Sequence, residues 1–87
     1  MQADHNKILR LLKTSRGQID GIIKMVEADR YCMEISQQVM AAQSVLKRAN
    51  QEILSAHLKS CVKNAKNPDE LDLKVEELIV MLGKALR

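Results

Sequence analysis

The sequence has no Trp and no Phe, and its only aromatic residue is Tyr31. That argues against an aromatic-rich β core. Three glycines and one proline in 87 residues exclude a turn-rich sandwich and a glycine loop that cradles a nucleotide. No apolar run approaches the ~20 residues of a membrane span, so no membrane partner is expected. The segment Met1-Gln2-Ala3-Asp4-His5 lacks the basic-then-apolar pattern of a signal peptide, so the expected compartment is the cytoplasm. There, the two cysteines serve more often as ligands or redox groups than as a structural disulfide. There is no paired-carboxylate cleft, no nucleophile beside a base and no cofactor loop, so neither an enzyme nor a small-molecule substrate is expected.

What is present is 46% apolar and 29% charged residues in a chain of 9.8 kDa. This is the composition of a folded protein, sized for one domain over residues 1–87. A domain this small buries too little surface to be comfortably stable without a disulfide, a metal or a partner chain. The net charge of +3 is compatible with a polyanionic partner.

Hydrophobic spacing predicts three helices, over about 4–27, 31–65 and 68–86, making the fold all-α. In the first, Ile8, Leu11, Leu12, Ile19, Ile22, Ile23 and Val26 recur at helical spacing behind Asp4 as N-cap. Gly17 and Gly21 share one face of it, either as a site of close helix approach or as two tolerated glycines. The polar run Glu27-Ala28-Asp29-Arg30 breaks the pattern. From Tyr31 to Ala65 nothing interrupts a helix, and Ile35, Val39, Ala42, Leu46, Ala49, Ile53, Ala56 and Ser60 make a seam of three- and four-residue steps. A helix of that length, roughly 50 Å, cannot be covered by one small chain and implies an oligomer. Asn67-Pro68-Asp69-Glu70 starts the third helix, with Asn67 as N-cap, Pro68 at the first helical position and Glu70 completing a capping box. Leu71, Leu73, Val75, Leu78, Ile79, Leu82 and Leu86 supply its apolar face.

The chemistry lies in Cys32, His57 and Cys61. His57 and Cys61, four apart on a helix, share one face and can chelate a single ion. Cys32 precedes Cys61 by 29 residues, ~43 Å along a continuous helix, so the two thiols of one chain cannot meet. Antiparallel pairing of two such helices, with the dyad near Leu46 and Lys47, places Cys32 of one protomer beside His57 and Cys61 of the other. Two thiolates and an imidazole are a soft three-donor set, which favours Cu(I) over the four-coordinate preference of Zn(II). Spacing alone leaves open a redox pair or two cysteines that serve as small hydrophobes.

Three segments carry a resemblance over nearly the whole chain: Arg16-Gly17-Gln18-Ile19-Asp20-Gly21-Ile22, Asp29-Arg30-Tyr31-Cys32 and Ala56-His57-Leu58-Lys59-Ser60-Cys61-Val62. Together they resemble the copper-sensitive operon repressor (CsoR) family of bacterial regulators. The resemblance implies a three-helix protomer, an antiparallel four-helix-bundle dimer, and a dimer-of-dimers tetramer. It implies an apo form that represses copper-efflux genes by binding a GC-rich operator, and release on Cu(I) binding at Cys32, His57 and Cys61. It further implies Tyr31 and Glu77 as outer partners of the site. Other branches sense nickel and cobalt through an N-terminal His, formaldehyde through the first Cys and the N-terminal amine, or persulfides through two Cys without the His. His5 falls about five residues from the N-terminal ligand position and is left out of the site. His57 argues against the persulfide branch, although the two thiols keep a thiol-redox repressor as the alternative. A metal-binding protein without DNA function is the other.

For DNA, Arg10, Lys13 and Arg16 step by three along the first helix, and Lys47 and Arg48 sit at the middle of the second. Gln18 and Asn50 can add polar contacts to the backbone. Four chains of +3 sum to a formal +12, so operator binding should be strongly salt-dependent. The alternative is a merely solvated basic face. Arg48 matches a DNA-contact position of the family, whereas Leu11 and Thr14 stand at positions that the family usually makes basic.

Overall fold

The computed structural model describes residues 1–85; Leu86, the last residue of the predicted apolar face, lies outside them. Three α-helices follow in order: α1 (His5–Glu27), α2 (Cys32–Asn64) and α3 (Pro68–Ala85). There is no strand among the described residues. The Asp4 carboxylate accepts the backbone N–H groups of Asn6 (3.0 Å) and Lys7 (3.4 Å), satisfying two of the donors that a helix start leaves free.

The break after α1 is a Schellman turn without glycine. Asp29 takes the left-handed conformation, φ 51°. The Asp29 N–H donates to Val26 O and the Arg30 N–H to Met25 O, both at 3.0 Å. Asp tolerates this conformation better than most side chains. Two residues after Asp29, Tyr31 caps α2 through its backbone alone, and Cys32 opens the helix. At the start of α3 the Asn67 side chain accepts the Glu70 N–H at 2.8 Å, as expected of the N-cap. The Glu70 carboxylate, however, accepts the Lys66 N–H at 3.2 Å, so the capping box closes one residue earlier than the motif prescribes.

Helix α1 runs back along α2, and α3 folds onto the C-terminal half of α2; α1 and α3 do not touch. The molecule measures 57 × 27 × 12 Å, a single layer of helices. Its radius of gyration is 17.2 Å, against about 12 Å for a compact chain of this length. Its accessible surface is 6862 Å², against roughly 5,200 Å² for a globular protein of this mass. Domains are ordinarily two layers deep, so both faces of this layer leave apolar side chains in water.

Burial explains where the layer closes. The apolar residues of α1 fall into two stripes. Ile8, Leu11, Ser15, Gln18, Ile22 and Met25 turn toward α2, while Leu12, Ile19, Ile23 and Val26 remain exposed. The α2 seam divides likewise. Ala42 and Ala49 are buried at 5% and 3% exposure, and Val39 and Leu46 are left open at 38% and 42%. Ile35 and Ile53 of the same seam are half-buried. Gly17 and Gly21 do not serve close approach within the chain, since a Cβ on either would meet nothing within 4 Å. Ala49→Leu inserts three carbons where α1 lies against α2. Overpacking of this kind costs typically ~1–3 kcal/mol, so thermal unfolding should shift down by several degrees; an unchanged midpoint would mean that α1 does not bear on Ala49.

Candidate metal centre and cationic cleft

Helix α2 positions both halves of the candidate metal site. Four residues apart, His57 and Cys61 stack on one face, half-buried, with Cys61 Sγ 3.4 Å from His57 Nε2. Donors about 2.0 Å (N) and 2.3 Å (S) from one ion, at a tetrahedral angle, lie roughly 3.5 Å apart. The spacing of the pair is thus close to that of two donors on one ion, and a thiolate with an imidazole suits a soft one.

Cys32 is exposed at the other end of the same unbroken helix. No three His, Cys, Asp or Glu side chains among the described residues of one chain gather into a metal cage. Tyr31, also exposed, shares the Cys32 end and lies 26 residues before His57, ~39 Å along the helix. Glu77 is exposed on α3 beside the buried Leu78, which packs near Leu54 and Leu58 on the His57 half of α2. Within one protomer, then, His57 and Cys61 are together and Glu77 is on their half, whereas Tyr31 and Cys32 are remote. His5 opens α1 and is exposed.

Arg30, in the turn before Cys32, pairs with α2. Its guanidinium donates through Nη2 (2.8 Å) and Nε (3.2 Å) to one oxygen of Glu34, one turn into α2. Both side chains are half-exposed, so the pair orients the turn more than it stabilises the fold.

A second feature lies midway along the layer. Lys7, Arg10, Leu11 and Thr14 of α1 and Val45 and Arg48 of α2 line a cleft of about 290 Å³. Antiparallel packing places these residues opposite one another, and Arg10 and Arg48, expected as DNA contacts, meet there. Leu11 and Thr14 make up part of its lining. The exposed Thr14 hydroxyl donates back to Arg10 O of its own helix at 2.9 Å. Lys13, Arg16 and Lys47 are exposed outside the cleft. Gln18 lies on the α2-facing stripe with its Oε1 shielded and, among the described residues, without a partner, as is the Oγ of Ser15.

Lys7 escaped the sequence reading because it precedes the basic run and sits in the first turn of α1, three residues after the N-cap. The available signal was its spacing: three residues before Arg10 and four before Leu11, on one helix face.

Fold and site thus define an all-helical protein with a His57–Cys61 pair near one end of a long helix and a cationic cleft at its middle. The family model of the metal-sensitive transcriptional repressors matches residues 4–84. A copper-sensing transcriptional repressor CsoR of Mycobacterium tuberculosis is 40% identical over 79 residues, covering 91% of this chain and 66% of that protein. The repressor of the same name from Bacillus subtilis is 33% identical over 81 residues, covering 93% and 80%. The solved structure of the nickel-responsive transcriptional regulator InrS superposes with a TM-score of 0.80 at 28% identity, over 98% of this chain and 96% of that one. The chain belongs to the metal-sensitive transcriptional repressor family, the CsoR family, which is not a family of enzymes. It spans just under two-thirds of the length of the mycobacterial relatives. No helix among the described residues is long and apolar enough to cross a membrane.

Proposed function

We propose that the chain is a Cu(I)-responsive transcriptional repressor of the cytoplasm. In this reading its apo form binds operator DNA as a homotetramer built from antiparallel dimers. Cys32 of one protomer, with His57 and Cys61 of the other, holds Cu(I), and the operator is released to derepress copper-resistance genes. The observation that carries this reading is the division of the donor set on α2. Two donors are pre-arranged 3.4 Å apart, and the third stands exposed at the opposite end of the same helix. A second, antiparallel copy would complete the set, and the uncovered faces of the helix layer supply apolar surface for one.

The donor chemistry favours Cu(I) over Ni(II), since two thiolates and one imidazole suit a soft ion content with three ligands. The names of the mycobacterial and Bacillus relatives support copper as well. The bound ion supplies charge and a rigid link between protomers. The chain's own residues do the rest. His57 is held by its position on α2, and in this proposal Tyr31 of the paired protomer and Glu77 orient its ring and tie it to α3. Allostery then requires that the metal-loaded geometry disfavour DNA by the same factor by which DNA disfavours metal.

An anaerobic Cu(I) titration of reduced protein on fluorescently labelled promoter DNA tests the reading. Release complete at one Cu(I) per chain is expected. Release by Ni(II) but not Cu(I) would move the inducer to nickel. Release by a persulfide donor alone would make the protein a thiol-responsive repressor. Copper binding by a protein that never held DNA would leave a metal-binding protein.

A further inference from the structure

The cationic cleft carries three positive side chains and a single counter-charge at its edge. Among the described residues, neither Arg10 nor Arg48 has a carboxylate within 4 Å, while Lys7 Nζ lies 3.1 Å from Glu52 Oε1. Glu52 stands on α2 four residues after Arg48, one turn beyond the cleft. Lys7 thus belongs to the cleft by its lining and to Glu52 by its ion pair.

We propose that Lys7 is a backbone-phosphate ligand of this cleft, acting with Arg10 and Arg48, and that Glu52 is its intramolecular competitor. The inference rests on the DNA-binding reading above. Both partners of the pair are about two-fifths exposed. Exposed pairs of this kind hold by no more than about fivefold in equilibrium constant. A phosphate flanked by two arginines outbids a single carboxylate for the ammonium, because it meets three cations at once. The flexible four-carbon stem of Lys7 makes the exchange a side-chain rotation with no movement of either helix. Leu11 and Thr14 give the cleft floor no charge of its own, so Lys7 and Arg10 are the cations α1 contributes there. Freeing Lys7 from Glu52 is then part of operator binding, and Glu52 sets its strength.

The test is a double-mutant cycle on the full chain, read as operator affinity and its salt slope. Lys7→Gln should weaken binding and lower the slope by about 0.9 for each protomer engaged. Glu52→Gln should tighten binding, by up to about fivefold per engaged protomer. In the Lys7→Gln background, Glu52→Gln should lose that gain. Glu34→Gln serves as the control, since it also removes one carboxylate but releases Arg30, away from the cleft. The inference is overturned if Glu52→Gln gains no more than Glu34→Gln, or if its gain survives without Lys7. A wild type that binds its operator while Lys7→Gln is unchanged also overturns it and leaves the repressor reading intact. A wild type that binds no DNA at low salt defeats the repressor reading itself. Free phosphate is separated by exchanging chloride for inorganic phosphate at constant ionic strength. Operator affinity should not move; a loss at low-millimolar phosphate that requires Lys7 would assign the cleft to the free anion.

Discussion

Cys32→Ser and Cys61→Ser should each lower the Cu(I) affinity of the reduced protein by at least about a hundredfold. Mutating the outer partners of a metal ligand already costs up to that much, and these changes remove a soft donor outright. A hydroxyl is a hard, weakly coordinating replacement for a thiolate. The effect should be equal at the two positions although Cys32 is exposed and Cys61 half-buried, because the proposal makes them ligands of one ion. Competition against a chromogenic Cu(I) chelator without oxygen measures it. Loss at Cys61 with none at Cys32 would confine the site to the His57–Cys61 pair. His57→Ala separates holding from signalling. Two thiolates still bind Cu(I), so affinity falls less, but release of DNA should fail. A His57→Ala protein that binds Cu(I) and releases DNA fully would remove His57 from the coupling.

The second large effect is on DNA. Operator affinity should fall by about a thousandfold between 50 and 200 mM salt, the expectation for six phosphate contacts. The basic residues at issue are Lys7, Arg10, Lys13, Arg16, Lys47 and Arg48, of which Lys7, Arg10 and Arg48 share the cleft. Arg48→Ala should weaken binding at every sequence tested and reduce the slope by about one for each protomer engaged, as expected of a phosphate contact rather than a base contact. A slope near zero would show that the basic face is only solvated. An Arg48→Ala change that left the slope intact but altered operator preference would make Arg48 a base reader instead.

The helices were readable because their boundaries have local causes. Asn67 and Pro68 start α3, Asp4 starts α1, and the long stretch from Tyr31 without Gly or Pro leaves α2 nothing to stop it. The separation of the two cysteines followed from α2 being unbroken. What was not legible depends on how two helices meet. The α1 residues that recur at helical spacing fall into two stripes, since a list of apolar positions does not say which of two adjacent rows a neighbour covers. Val39 and Leu46 look equivalent to Ala42 and Ala49 in the pattern of α2, yet only the two alanines of these four are buried. The cleft was invisible for the same reason. Lys7 and Arg48 are 41 residues apart in sequence, and only the antiparallel register brings them together. The Lys7–Glu52 pair is another product of that register.

The central claim is that the metal site is shared between two chains. Mixing the Cys32→Ser and Cys61→Ser proteins tests it most directly, with Cu(I) binding followed anaerobically after subunit exchange. Neither variant alone can form an intact site. In the mixed dimer one site regains Cys32 from one chain and His57 with Cys61 from the other, while the second site loses both thiols. The account predicts that mixing restores tight binding, at one Cu(I) per mixed dimer. If the exchanged mixture binds no better than its two components, the site does not lie between protomers and the account fails at its centre.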